Sequence, residues 1–293
     1  MPDLSDALTV RLILKKHGFS FSKTLGQNFI VDGSVCPRMA ELSGVDGECG
    51  ALEIGPGIGV LTKELAKRAK KVVALELDDS LRGVLGETMA PFDNVEIVWG
   101  DVLKLDLPAL VKEKFGDMPF VVCANLPYYI TSPVIMKLLE SRLGAKSLTV
   151  MVQKEVADRL CAGVGSRQAG AVTVAVAYHS RPEKLFDVPA SCFLPAPKVN
   201  SAVIRMDIRD VPDCPVKDEK LFFSVVKAAF AMRRKTALNA LSSGLGMPKE
   251  AVASAIGSAG LRPDIRGEKL TLEQFAVLTD ALARYREIPL KNS

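Results

Sequence analysis

The chain has 293 residues, 48% of them hydrophobic, enough for one large and one smaller domain and too apolar for a disordered protein. Lys and Arg total 38 against 34 Asp and Glu, a net charge of +4 that permits a polyanionic partner without requiring one. The six cysteines form no C-x-x-C pair and His17 and His179 lie far apart, while no apolar run reaches the roughly 18 residues of a membrane span; this argues against a zinc site, a secretory leader and a membrane protein, and leads us to expect a soluble, cytoplasmic, metal-free chain with reduced thiols.

From about residue 50, short apolar runs alternate with helix-like segments, the rhythm of βαβ units in a parallel sheet. Strands are predicted over residues 51–54, 71–77, 95–99, 119–124 and 147–152, with a helix over 60–69. Residues 171–178 and 201–208 are β-rich and separated by a Pro-rich loop, which predicts an antiparallel addition at the sheet edge. Residues 209–220 carry two prolines and no apolar periodicity, and so read as a linker. Helical spacing resumes over 221–241. Pro248 suits a first helical turn, and Thr271 with Gln274 three residues later suits a capping box. The expected division is 1–208 and 209–293, an α/β domain followed by a small all-helical one.

The local constellation with most chemistry is Glu53-Ile54-Gly55-Pro56-Gly57-Ile58-Gly59 between a predicted strand and a predicted helix. Gly55 and Gly57 let the backbone turn sharply and come close to a ligand. Such a turn serves a dinucleotide or S-adenosylmethionine, with a purely structural bend the less favoured alternative in this context. Two acids narrow the choice. Glu76, at the end of the second strand and 21 residues after Gly55, is placed to accept both ribose hydroxyl protons, and Asp101, after the third strand, to accept from an adenine amino group. In that order they outline an adenosyl pocket at the carboxyl ends of the strands.

After the fourth strand stands Asn125-Leu126-Pro127-Tyr128. The exocyclic nitrogen of adenine is a poor nucleophile because its lone pair is delocalised into the ring. The Asn125 side-chain oxygen and the Leu126 carbonyl can accept its two N–H bonds, favouring a tetrahedral nitrogen whose developing positive charge strengthens both contacts. Pro127 stiffens the turn without a competing N–H, and Tyr128 can stack on an extruded base. No metal or basic histidine is required.

With these residues in place, the chain resembles the ribosomal RNA adenine dimethyltransferase family, in particular its bacterial small-subunit branch. Beyond the glycine turn and N-L-P-Y, the resemblance rests on Lys23 to Phe29 (KTLGQNF), Phe193 to Ser201 (FLPAPKVNS), and Phe230 with Arg233-Arg234-Lys235, and it runs from about Leu14 to the end of the chain. It implies a Rossmann-like class I methyltransferase sheet with a small helical C-terminal domain. It implies that Asn28 and Ile30 line the cofactor pocket with Gly55, Glu76, Asp101 and Asn125, that Asn125 to Tyr128 surround the target base with Phe193 on its opposite face, and that S-adenosylmethionine is the methyl donor. Read without the family, Phe193 is an apolar residue packed beneath the Pro-rich loop. The implied reaction places two methyl groups on each of two adjacent adenines near the 3′ end of 16S ribosomal RNA, with the small subunit as partner and the protein a monomer. Arg233, Arg234 and Lys235 are expected to pair with RNA phosphates; read without the family, the same run is a solvated helix face. Where relatives carry Tyr and Arg beside a glycine, this chain has Ala169-Gly170-Ala171.

Three other functions are compatible with parts of this pattern. A large-subunit methyltransferase of the macrolide-resistance type would share the pocket and N-L-P-Y. A ribosome-assembly factor would put binding before catalysis. A nicotinamide dehydrogenase would use the glycine turn but finds no hydride-transfer site in this chain.

Overall fold

A computed structural model describes residues 3–21 and 26–286; Lys23, Thr24 and Leu25 of the KTLGQNF motif lie outside them. The chain divides into two compact units, Met1–Asp158 with Arg181–Ile208, and Arg159–Ser180 with Arg209–Ser293. Among the described residues no helix is long and apolar enough to cross a membrane.

The first unit begins with α1 (Ala7–Lys16), whose N-cap Asp6 accepts from the Thr9 amide, followed by β1 (Phe29–Ile30) and α2 (Val35–Leu42). Strands then alternate with helices: β2 (Gly50–Ile54), α3 (Val60–Ala66), β3 (Lys71–Glu76), α4 (Arg82–Met89), β4 (Val95–Trp99), α5 (Leu107–Phe115), β5 (Phe120–Asn125), α6 (Thr131–Glu140) and β6 (Ser147–Gln153). After α7 (Lys154–Leu160) the chain enters the second unit, forms α8 (Ala171–His179), and returns through β7 (Ser180–Val188), β8 (Phe193–Leu194) and β9 (Ser201–Ile208). Seven strands share one sheet in the order β4-β3-β2-β5-β6-β9-β7. The five strands from β4 to β6 run parallel, and β9 pairs antiparallel with β6, Ser147 opposite Asp207 and Gln153 opposite Ser201. The central strands are buried throughout, as runs such as Ala-Leu-Glu-Ile and Phe-Val-Val-Cys-Ala require when both faces of a sheet are covered. A separate two-stranded ribbon pairs β1 with β8, setting Ile30 opposite Phe193.

The second unit holds α9 (Glu219–Ala231), α10 (Ala237–Leu245), α11 (Lys249–Ser258) and α12 (Leu272–Arg286) around Phe222, Leu241, Phe275 and Leu278. Pro248 is the N-cap of α11. Thr271 and Gln274 form the reciprocal capping pair, each side chain accepting from the other residue's amide at 3.2 and 3.0 Å.

Three expectations are corrected. Residues 171–178, predicted as a strand from their β-branched content, form helix α8. Val174 and Tyr178 are fully buried in the helical core, so tertiary packing overrides propensity and removes the polar face that would have revealed a helical period. For the same reason residues 159–180 fold with the helical unit and not within 1–208 as expected. The seventh strand is instead β7, whose sequence Ser-Arg-Pro-Glu-Lys-Leu-Phe-Asp-Val is polar and carries Pro182, features tolerated at a sheet edge. The helical pattern over 221–241 is also interrupted: Met232 leaves helical geometry and Thr236 caps α10, so Arg233, Arg234 and Lys235 sit on an exposed turn and not on a helix face.

Helices α9 and α10 approach closely at Gly244, where a Cβ would lie 2.5 Å from the Ala228 methyl carbon and 3.0 Å from its Cα. Gly244→Ala is therefore expected to destabilise the helical unit by about 1–3 kcal/mol, the usual range for overpacking, and to lower its thermal midpoint in calorimetry.

Candidate active site

The sheet's strand order reverses between β2 and β5, so the segments leaving their carboxyl ends diverge and open a crevice. From β2 the chain turns through Gly55, Gly57 and Gly59, all at positive φ (74°, 59° and 89°). A side chain at Gly57 would also press on the Phe29 ring at 3.1 Å, and one at Gly59 would collide with Met89 at 2.5 Å. These glycines satisfy both backbone sign and space, which is why the turn stays tight. The Gly55 amide donates to the Leu75 carbonyl at 2.9 Å and the Gly100 amide to the Glu76 carbonyl at 2.8 Å, fixing the ends of β2, β3 and β4 as neighbours.

All the sequence-predicted pocket residues of this unit line one cleft. Asn28, Ile30, Gly55, Gly57, Glu76, Asp101, Asn125, Leu126, Pro127, Tyr128 and Phe193 face the same partly open space. Arg233, Arg234 and Lys235 belong to the other unit.

Glu76 is buried, and its carboxylate is oriented by three backbone amides: Oε1 accepts from Leu77 and Asp78 at 2.8 Å each, and Oε2 from Gly57 at 3.2 Å. Burial nevertheless raises its pKa above the ordinary value, the amides opposing that shift. A vicinal diol offering two hydroxyl donors suits such a group. Asp101 Oδ1 accepts from the Leu103 amide at 2.9 Å. The loop it begins is tied down from outside by Lys137 on α6, which donates to the Leu103 and Leu105 carbonyls at 2.7 and 2.8 Å.

On the opposite side, the Asn125 Nδ2 donates to the Asn28 carbonyl at 3.4 Å, which holds the side chain at the cleft wall and leaves its oxygen out of that bond. Asn28 Nδ2 in turn donates to the Gly26 carbonyl at 3.0 Å. The Leu126 amide is held by the Met151 carbonyl of β6, and the Pro127 carbonyl accepts from Ile130 and Thr131. Tyr128 is half-buried with its hydroxyl 2.8 Å from Ser201 Oγ, at the first residue of β9. Burial pushes the phenol above its usual pKa, so the ring is neutral and fixed at its far end. Phe193 is only 4% exposed: it packs in the core with Ile30, as the reading without the family has it, and also lines the cleft.

Sequence reasoning assigned no role to several lining residues. Leu77 and Tyr129, 48% and 55% exposed, stand on the rim, each directly after a residue that was singled out. Glu53, quoted only as part of the glycine motif, lies fully buried beneath the turn, with its Oε2 lacking any partner. A buried carboxyl with one unpartnered oxygen, in the wall of a ligand space, fits the ammonium end of an amino-acid tail, as Glu76 fits a ribose and Asp101 an adenine amine.

Burial, opposed by the Thr62 hydroxyl and reinforced by the neighbouring Glu76 charge, raises the Glu53 pKa to about 8. Between the ordinary carboxyl range and that value the folded protein holds a proton that the unfolded chain does not, so this group's contribution to stability falls as pH rises through the window. Glu53→Gln, neutral at every pH, is expected to gain thermal stability relative to the unsubstituted protein between about pH 5 and pH 8, by at most about 5 kcal/mol. Parallel Tm-versus-pH curves for the two proteins would show that Glu53 does not titrate this way.

The family model described as "Ribosomal RNA adenine dimethylase" matches residues 18–284. Among curated relatives, the chain is 47% identical over 284 residues to "Ribosomal RNA small subunit methyltransferase A" of Geobacillus thermodenitrificans, covering 96% of this chain and 97% of that one. The protein of the same name from Alkaliphilus oremlandii is 47% identical over 286 residues, covering 97% and 99%. Among solved structures, the 23S rRNA methyltransferase ErmE superimposes with a TM-score of 0.65 at 28% identity over 87% of this chain and 99% of that one. A dimethyladenosine transferase from Plasmodium falciparum gives 0.67 over 83% and 93%, at 24% identity, and shares the fold. With a glycine turn, two acids and N-L-P-Y in one crevice and the family model spanning both units, this chain belongs to the ribosomal RNA adenine dimethylase family.

Proposed function

We propose that this protein transfers methyl groups from S-adenosylmethionine to the N6 amino groups of two adjacent adenines near the 3′ end of 16S ribosomal RNA, acting as a monomer on the small subunit in the cytoplasm and contributing to that subunit's biogenesis. The observation that carries this reading is the convergence of Glu76, Asp101 and Asn125 to Tyr128 on one crevice. S-adenosylmethionine supplies an electrophilic methyl group on a sulfonium.

Glu76 would accept hydrogen bonds from the two ribose hydroxyls and Asp101 one from the adenine amino group of the donor, with Asn28, Ile30, Gly55 and Gly57 lining the rest of its site. The target adenine stacks on Tyr128, a contact of about 1–3 kcal/mol that offsets extrusion of the base. Phe193, buried at its base, can offer the opposite face little more than an edge. The Asn125 side-chain oxygen and the Leu126 carbonyl accept the N6 protons and aim the nitrogen lone pair at the methyl carbon. Positive charge developing on the nitrogen during methyl transfer would strengthen both hydrogen bonds, and the excess proton would leave to water. Positioning is the main source of rate enhancement.

The small-subunit acceptor is favoured over the large-subunit one by the identity to relatives named for the small subunit, well above that to ErmE. The deciding assay incubates the protein with labelled S-adenosylmethionine and, separately, undermethylated small and large subunits, then identifies modified nucleosides by mass. N6,N6-dimethyladenosine in the small subunit alone is expected; product in the large subunit alone would transfer the assignment to the resistance-type activity. Asn125→Ala is expected to lower kcat by about 10²–10³-fold while cofactor and subunit binding persist. Loss of subunit binding in that variant would contradict a separation of catalysis from subunit recognition.

A further inference from the structure

Helix α6 starts directly after the N-L-P-Y segment and is bonded to it. The Pro127 carbonyl accepts from the Ile130 amide and from Thr131 Oγ1, each at 3.2 Å, and the Ile130 carbonyl accepts from the Val134 amide at 3.0 Å. Thr131, Val134, Ile135, Leu138 and Leu139 are buried, so the helix is seated along its length and any shift of it is passed to the tetrapeptide.

Lys137 lies six residues into this helix, about 9 Å along its axis. Its ammonium donates to the Leu103 and Leu105 carbonyls at 2.7 and 2.8 Å, on the loop that Asp101 opens. Leu103 in turn donates its amide to Asp101 Oδ1 at 2.9 Å, and the Lys104 and Leu105 amides donate to the Asp101 carbonyl at 2.8 and 3.0 Å. A run of hydrogen bonds therefore joins α6 to the Asp101 carboxylate. Between Asp101 and Asp106 only Val102 is buried, so hydrogen bonds, more than packing, set the position of the loop. Lys16, Lys67, Lys71, Lys114 and Lys154 each pair with a carboxylate, whereas among the described residues none pairs with Lys137. Its charge is directed at main-chain oxygens, and such charge-assisted donors are stronger than neutral ones.

We propose that Lys137 is a positioning residue for methyl transfer: it joins the loop assigned to the donor's adenine to the helix that leads out of N-L-P-Y, so that donor binding orders the acceptor segment. The inference rests on the methyltransferase reading above and adds to it a link between the two sides of the crevice. Lys137 does not itself line that crevice. By reciprocity, a base seated against Asn125 to Tyr128 tightens donor binding by the same factor.

Lys137→Met keeps most of the side-chain length and removes the ammonium. With the full chain and undermethylated small subunits, it is expected to raise KM for S-adenosylmethionine about tenfold, the scale of one lost hydrogen bond to a charged group. Misalignment is expected to lower kcat at saturating donor as well, by about 10–100-fold. Lys137→Arg is expected to recover most of both constants. Amide hydrogen exchange adds a readout that needs no turnover: S-adenosylhomocysteine is expected to protect residues 101–106 and 126–131 together in the unsubstituted protein, and only the first segment in Lys137→Met. Unchanged constants, a change confined to one of them, or exchange protection that is the same in both proteins would overturn the proposal. Equal losses in Lys137→Met and Lys137→Arg, accompanied by a lower Tm without donor, would also overturn it by making the lysine a support of the fold. Lys137→Gln, which keeps a shorter neutral donor, is read in the same way should Lys137→Met fail to fold. Absence of methyl transfer by the unsubstituted protein, with protection of both segments intact, would instead count against the methyltransferase reading.

Discussion

The site depends on the reversal of strand order between β2 and β5. Parallel strands end with their carbonyl groups and connecting turns on one edge, and only where neighbouring connections depart in opposite directions does that edge open enough to admit a ligand. Gly55 leaves one side of the opening and Asn125 the other, with a Cβ at Gly55 lying 3.9 Å from the Asn125 carbonyl oxygen. The glycine turn and the Asn125 segment thus meet because two adjacent, hydrogen-bonded strands carry them, with Ile54 and Ala124 in register immediately before. A rigid sheet is a better ruler for methyl transfer than any loop, since the reaction rewards alignment and asks for little acid–base chemistry.

Around that fixed edge, the remaining contacts act as braces. Lys137 holds the Asp101 loop by its carbonyls, the Asn28 carbonyl turns the Asn125 amide, and Ser201 pins the Tyr128 hydroxyl. The last of these accounts for the serine that closes the FLPAPKVNS motif: it begins β9 and faces the tyrosine's far end. The β1–β8 ribbon does similar work, pairing Ile30 with Phe193 so that two segments far apart in the chain form one wall.

Much of this arrangement was legible in the sequence, because parallel strands covered on both faces leave continuous apolar runs and because glycines and acids recur at their ends. Residues 95–99 and 201–208 match β4 and β9 end for end. What could not be read was set by tertiary context. Helix α8 is surrounded by the helical core, so its apolar side chains show no periodicity, while edge strand β7 carries the proline and charges of a loop. The break before Arg233 did leave a signal, the Thr236 and Asn239 pair that caps α10, but a continuous apolar spacing on either side concealed it. Glu53 was hidden by its own motif: attention to the glycines drew none to the acid that precedes them.

Because the chain leaves the sheet unit after Asp158 and re-enters at Arg181, the helical unit is not an appendix that can be clipped from the C-terminus. A fragment ending at residue 208 would retain α8 with Val174 and Tyr178 stripped of Phe222 and its neighbours, presenting a sticky apolar rod in the middle of the polypeptide. The chain passes between the two units three times, and this makes the molecule poorly modular: recombination or engineering that exchanges the helical unit for another must replace two separate stretches of sequence at once.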